Sequence, residues 1–243
     1  MKLYVERHGK GKKLLFIHGA GGSSASFHLQ KQYLKHCVEV ILIDLPGRGK
    51  SGDEGCRSIP EYVEVVRTVI DEQGLEGCYL VGHSMGGLIA MSLAIAHPKA
   101  IKGLVLITTG ARLRVSPAIL EWIMVDKERT VKSLALMGFS KKTPPAVSRD
   151  AVAEMMKVSE ETMYGDFLAC DQADIMEEVG RIKMPTLIIR GSDDQLTPPH
   201  YSEHLNHAIK GSEMVSIADA GHWVLLEKAE EVNRAIERFI THQ

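Results

Sequence analysis

Residues 78–90 read CYLVGHSMGGLIA, an apolar run that stops at Gly82-His83-Ser84-Met85-Gly86 and resumes as small and aliphatic residues. The first part has the length and composition of a buried strand and the last part that of a buried helix, so a strand-to-helix turn lies between them. This is the spacing of a G-x-S-x-G nucleophile elbow. A turn that sharp strains the serine backbone and leaves no room for a side chain two residues before or after it. Gly82 and Gly86 occupy those two positions. The turn also sets Ser84 at the positive end of the following helix and directs the Met85 N–H toward an oxygen that becomes anionic beside the serine.

Similar apolar runs recur on both sides of this segment, at residues 14–19 (LLFIHG), 38–44 (VEVILID), 102–108 (KGLVLIT), 184–191 (MPTLIIRG) and 213–219 (EMVSIAD). Between them lie helical patterns over 59–73, 85–97 (ended by Pro98), 201–209 and 229–241. Strands alternating with crossover helices predict a doubly wound, mostly parallel α/β sheet. Residues 3–6 read as one extra antiparallel strand, joined by a hairpin through Gly9 and Gly11. The alternation breaks over 111–181, a strand-free stretch punctuated by Pro117, Pro144, Pro145 and Gly165. The chain therefore divides into a core, 1–110 with 182–243, and a helical insertion, 111–181.

Composition narrows the function. Among 243 residues, 29 basic and 31 acidic side chains leave a formal charge of -2, with no global attraction to nucleic acid or anionic membrane. Cys37, Cys56, Cys78 and Cys170 show no C-x-x-C spacing, which argues against a disulfide framework or a zinc knuckle and for a reducing compartment. The longest near-continuous apolar run, 88–96, is interrupted by Ser92 and is about half of what a membrane helix needs. No apolar segment of the signal-peptide kind follows MKLYVERHGKGKK, so a cytoplasmic protein is expected.

A serine hydroxyl needs a general base and an acid to orient that base. Gly191-Ser192-Asp193-Asp194-Gln195-Leu196-Thr197-Pro198 forms an acidic turn after one strand, and Ala220-Gly221-His222-Trp223 places a histidine on the loop after the next. Ser84, Asp194 and His222 thus each follow a different strand, on the sheet edge where open α/β sheets place their sites. Two other patterns compete for attention. His200-Tyr201-Ser202-Glu203-His204 fits H-x-x-E-H, but it begins just after Pro198-Pro199 on a peripheral crossover helix, and no metal is expected there. Gly49-Lys50-Ser51 has the end of a phosphate-binding loop, but Asp44 stands where the first glycine should be, and Pro46 removes a backbone donor.

Taken together, these motifs resemble the α/β-hydrolase family along essentially the whole chain. His18-Gly19-Ala20-Gly21-Gly22 is similar to the family's oxyanion loop, and Asp44-Leu45-Pro46-Gly47-Arg48-Gly49-Lys50-Ser51 to its loop after the next strand. Gly191 to Pro198 matches its acid turn, where the spacing assigns the acid to Asp194 and leaves Asp193 to solvent or a turn bond; Gly221-His222 matches its base loop. The resemblance implies oxyanion donors at the Ala20 and Met85 N–H groups and a cap over the active site formed by the helical insertion. Trp122, Met137 and Phe167 are candidates for the cap's pocket face. Two departures are peripheral: the N-terminal region is short by one strand, and Ala229 stands where proline is common. A serine nucleophile, in place of aspartate, argues against the dehalogenase and epoxide-hydrolase branches.

The expected activity is cofactor-free hydrolysis of small carboxylic esters or lactones through an acyl-enzyme, a carboxylesterase chemistry. Thioester or carbon–carbon bond hydrolysis, and a slow-turnover small-molecule receptor, are the alternatives within the same fold. Selectivity depends on apolar contacts worth ~1 to 3 kcal/mol each, which no motif records, and neither does any motif record the oligomeric state.

Overall fold

Leu14 and Phe16 are buried on one side of a sheet and the intervening Leu15 and Ile17 on the other, the period of a strand covered on both faces. The structure is a computed structural model describing residues 3–52 and 54–243. Among these residues the sheet has β1 (Val5–Gly9), β2 (Lys13–Ile17), β3 (Glu39–Ile43), β4 (Cys78–His83), β5 (Ile101–Ile107), β6 (Thr186–Gly191) and β7 (Glu213–Ile217). Their order is β1-β3-β2-β4-β5-β6-β7; every pair is parallel except β1 with β3. This is the doubly wound, mostly parallel α/β sheet that the alternation predicts.

One expectation fails. The extra strand covers Val5–Gly9, not 3–6, and pairs with β3 (Val5 opposite Ile43, Gly9 opposite Glu39), not with β2 across a hairpin. Both edges of β2 are taken by parallel partners, Lys13 to Phe16 against β3 and Leu14 to Ile17 against β4. The free edge of β3 is what remains for β1. Gly9, at φ +81°, makes the exit possible: a Cβ there would lie 2.3 Å from the carbonyl oxygens of Lys35 and Val38.

The helices on one face are α2 (Ile59–Glu72), α3 (Met85–Ala96) and α8 (Pro199–Ala208); on the other are α1 (His28–Leu34), α9 (Val224–Glu227) and α10 (Ala229–Thr241). Ser58 caps α2, its hydroxyl accepting the Glu61 N–H, while Glu61 accepts the Arg57 N–H in return. α10 buries the stripe Val232, Ile236, Phe239 and Ile240 at helical spacing. Between β5 and β6 the chain forms α4 (Pro117–Val125), α5 (Lys127–Gly138), α6 (Pro145–Met155) and α7 (Glu160–Gln172). These four helices share a cluster of their own, with Ile123, Val131, Leu134, Met155, Val158 and Met163 buried in it. No helix among the described residues is long and apolar enough to cross a membrane.

Candidate active site

The elbow is as crowded as its sequence requires. Ser84 sits between β4 and α3 with φ 53° and ψ -119°, a left-handed conformation that costs a non-glycine residue ~1 to 3 kcal/mol. A Cβ on Gly82 would lie 2.3 Å from the Gly86 carbonyl oxygen, and a Cβ on Gly86 would lie 2.0 Å from that of Ile17. Met85 opens α3, so its N–H has no intrahelical acceptor and is free to serve a ligand.

Opposite the elbow stands the loop after β2. A Cβ on Gly19 would be 3.1 Å from the Ser84 Cβ, so this loop and the serine are in van der Waals reach. His18 is fully buried: Nε2 accepts the Leu45 N–H at 3.1 Å, so Nδ1 carries the proton that it donates to the Gly19 carbonyl at 2.9 Å. Burial, with the nearby Arg48 charge, pushes the His18 pKa down to about 3, which agrees with a permanently neutral ring.

Asp194 and His222 form a buried pair beyond β6 and β7. His222 Nδ1 lies 2.9 Å from Asp194 Oδ2; Asp194 Oδ1 accepts the N–H groups of Leu196 at 2.8 Å and Thr197 at 2.9 Å. The Thr197 hydroxyl donates to Oδ2 at 2.6 Å. Burial by itself raises the Asp194 carboxyl, but the His222 ring and the Thr197 bonds outweigh it and hold the carboxyl below its ordinary range. The carboxylate therefore keeps its charge and fixes the His222 proton on Nδ1, which leaves Nε2 without one. Asp193 is exposed and engaged elsewhere, accepting from Ser140 Oγ at 2.6 Å and from Ser192 Oγ at 2.8 Å, which draws its carboxyl down.

The His222 backbone is clamped as firmly as its ring. Its N–H donates to Gly138 O at 2.5 Å, and its carbonyl accepts from Thr108 Oγ1 at 2.9 Å and from His83 Nε2 at 3.0 Å. Burial, then the neighbouring His222, pushes the His83 pKa to about 3, so this ring is neutral with its proton on Nε2. Glu227 adds a strut from α9, accepting the N–H groups of Gly221 and Ser140, each at 2.9 Å.

Ser84 and His222 line one cavity of about 560 Å³ together with Gly19 and Ala20. Among the described residues no hydrogen bond joins Ser84 Oγ to His222; active sites without substrate commonly leave this contact open and tighten it when substrate is seated. The cavity wall is apolar, with Ile119, Leu134, Met155, Phe167 and Trp223, while His28, Arg114, Asp150 and Glu154 supply charge and polarity. Of the three residues expected to face it, Phe167 lines it, but Trp122 and Met137 do not. α4 turns Ile119 and Ile123 inward, which carries Trp122 around the helix to a flank where it is 38% exposed and covered by the Arg129 guanidinium, 4.6 Å from the ring centroid. Leu134 holds the inward position of α5, and Met137 packs in the helices' own cluster.

The two competing patterns have other occupations. Glu203 pairs with Arg190 at 2.8 Å, on the outside of the sheet. In the loop after β3, Asp44 Oδ2 accepts the Lys50 N–H at 2.7 Å, and the Ser51 hydroxyl donates to Asp44 O at 2.5 Å, so the segment braces itself.

A buried cluster went unread in the sequence. Arg48 and Asp166, both with fully buried side chains, form a two-pronged ion pair, Nη1 to Oδ2 at 2.7 Å and Nη2 to Oδ1 at 2.8 Å. Tyr62 OH donates to Oδ1 at 2.5 Å. Arg48 belongs to the loop motif at 44–51, but Asp166, 118 residues further on, belongs to no motif, and only its place on the inner side of α7 makes it legible.

The sequence model of the alpha/beta hydrolase family matches residues 14–235, and the chain belongs to that family of hydrolytic enzymes. The chain is 30% identical to the AB hydrolase superfamily protein YisY of Bacillus subtilis, over 98% of this chain and 94% of that protein. It is also 30% identical to a putative carbamate hydrolase, RutD, of Azorhizobium caulinodans, over 90% and 88% respectively. Among solved structures, a thermophilic esterase shares 31% identity and superimposes with a TM-score of 0.87, over 98% of each chain.

Proposed function

We propose that this protein is a serine hydrolase of small carboxylic esters or lactones, with Ser84 as nucleophile, His222 as base and Asp194 as the acid that orients it. One observation carries the reading: a strained serine shares a cavity with a histidine whose far nitrogen is held by a buried, ionised carboxylate. In this mechanism His222 Nε2 takes the Ser84 hydroxyl proton as Oγ bonds to the substrate carbonyl carbon. The oxyanion is held by the Ala20 and Met85 N–H groups, each such donor being worth ~3 kcal/mol. The imidazolium passes its proton to the leaving alcohol as the carbon–oxygen bond breaks. Water, deprotonated by the same nitrogen, then releases the acid and restores Ser84. Asp194 stays ionised throughout.

Helices α4 to α7 act as the cap in this reading, and their apolar wall over Ser84 suits an uncharged acyl group of moderate size. The carbamate hydrolase relative favours a second substrate class for the same machinery, since a carbamate carbonyl can be attacked in the same way. A fluorophosphonate probe should label the wild type at Ser84, and Ser84→Ala should abolish both labelling and turnover of p-nitrophenyl esters, reducing kcat by ~10⁴-fold or more without lowering Tm. A matched panel of esters, lactones and carbamates then ranks the substrate classes by kcat/KM. Retention of more than a few per cent of activity in Ser84→Ala rejects the reading.

A further inference from the structure

The oxyanion donor at Ala20 lies on a loop whose residues 19–22 have no polar side chain, yet both peptide groups flanking Ala20 are held. The peptide that contains the Ala20 N–H also contains the Gly19 carbonyl, and this oxygen accepts from His18 Nδ1 at 2.9 Å and from the Gly22 N–H at 3.1 Å. In a trans peptide the N–H points opposite to the C=O, so these two bonds aim the Ala20 N–H. The next peptide carries the Gly21 N–H, which donates to Asp166 Oδ2 at 2.9 Å. Gly21 has φ +66°, and a Cβ there would lie 3.1 Å from Met163 Cε and 3.3 Å from Met155 Cε, so the helical layer closes directly on this residue.

From this geometry we infer that Asp166, on α7, is a positioning residue for the oxyanion hole, fixing the Ala20–Gly21 peptide and with it the direction of the Ala20 N–H. The inference rests on the proposed serine hydrolase chemistry. Asp166 is suited to the task because its four acceptor positions are filled: Gly21 N–H and Arg48 Nη1 on Oδ2, Arg48 Nη2 and Tyr62 OH on Oδ1. A carboxylate so satisfied has one orientation. Its charge would oppose the developing oxyanion nearby, and the Arg48 guanidinium cancels it, leaving a neutral pair that still offers a strong acceptor. A buried ion pair is seldom more stabilising than apolar residues of the same volume, so stability alone does not call for one here. The cluster joins three separate segments to the oxyanion loop: Arg48 after β3, Tyr62 on α2 and Asp166 on α7. The position of α7 and the geometry of the oxyanion loop are thereby tied to each other through Asp166.

The test compares Asp166→Asn, and the double variant R48M/D166L, with wild type on a p-nitrophenyl ester, with rates expressed per site titrated to completion by a fluorophosphonate. Per-site rates exclude unfolded molecules. Both variants should lose kcat by ~10- to 100-fold with KM within threefold, and a trifluoromethyl ketone, which binds as a tetrahedral adduct, should weaken in parallel. The double variant removes the charges together and should keep Tm within a few degrees of wild type while remaining slow. A merely structural cluster would give the reverse, a lower Tm for Asp166→Asn with per-site kcat within twofold in both variants, and that result overturns the inference. If wild-type turnover does not depend on Ser84, the proposed function itself fails, an outcome separate from equal rates in the Asp166 variants.

Discussion

A single carbon atom added to Gly82 would stand 2.3 Å from a carbonyl oxygen, whereas the whole indole of Trp122 rests 38% exposed on the outside of α4. The strand edge that bears Ser84 and the helical layer above it thus constrain their residues differently. At the edge, backbone passes against backbone, and positions such as Gly82, Gly86, Gly191 and Gly221 admit no side chain. In the layer, side chains pack on side chains, and several apolar residues would fill the same space. The first kind of constraint writes itself into sequence; the second leaves only a hydrophobic pattern. The layer nevertheless has tightly constrained points of its own, among them Gly165, where a Cβ would lie 2.8 Å from the Cys56 carbonyl oxygen. Gly138 lies so close to the loop that bears His222 that a Cβ on it would be 2.2 Å from the Trp223 ring, and Asp166 accepts the Gly21 N–H.

The sharpest test of this contrast uses two adjacent carboxylates. Asp194→Asn preserves shape but offers an amide to His222 Nδ1, favours the wrong tautomer and should lower kcat by ~10⁴-fold with Tm little changed. Asp193→Asn removes charge from an exposed carboxylate that bonds Ser140 and Ser192, and should leave kcat within a few fold. Steady-state kinetics on the two single variants decide the matter, and the opposite ordering would transfer the orienting role to Asp193.

A second test concerns acid. His18 and His83 are buried at the strand edge and stay neutral down to about pH 3, while residues 111–181 contain no histidine. In the unfolded chain these rings take up protons near pH 6.5. Between those values the unfolded state binds more protons, so stability falls as pH falls, by up to ~1.4 kcal/mol per pH unit for each ring. Urea unfolding at pH 7, 6 and 5 should show the slope below about pH 6, and His83→Gln should reduce it. A flat profile from pH 7 to 5 would mean the two rings are not held neutral. Asp194, with its lowered carboxyl, adds a further loss only at lower pH, as its own pKa is passed.

The same contrast explains what could be read in advance. The parallel strands, the elbow and the loops that carry Asp194 and His222 were legible from glycine, proline and apolar-run positions that local sterics dictate, while the choice of Asp194 over Asp193 rested on the resemblance of its turn to the family's. The partner of β1 was not legible, because it depends on which sheet edge is already occupied and not on the glycines of the connecting turn. Asp166 was not legible either, since its reason for being there is supplied by Arg48, Tyr62 and Gly21, each more than 100 residues away along the chain. Helical periodicity marks α4 and α5 as amphipathic but does not say which part of a broad apolar face meets substrate, and there Trp122 and Met137 were misplaced.

That last ambiguity yields the smallest and most discriminating effect. Phe167 lines the cavity, so Phe167→Ala enlarges the acyl site and removes apolar contact from a seated chain. Such contacts are worth ~1 to 3 kcal/mol, so the ratio of kcat/KM for octanoate to that for acetate esters should shift by ~10-fold. Trp122 touches Arg129 instead, and Trp122→Ala should change that ratio less than twofold while lowering stability by ~0.5 to 1 kcal/mol through the lost cation–π contact. Competition between the two p-nitrophenyl esters in one reaction measures the ratio free of errors in enzyme concentration. Equal shifts in the two variants would mean that the layer acts on selectivity through its overall packing, and the division of its residues into an inner wall and an outer flank would have to be abandoned.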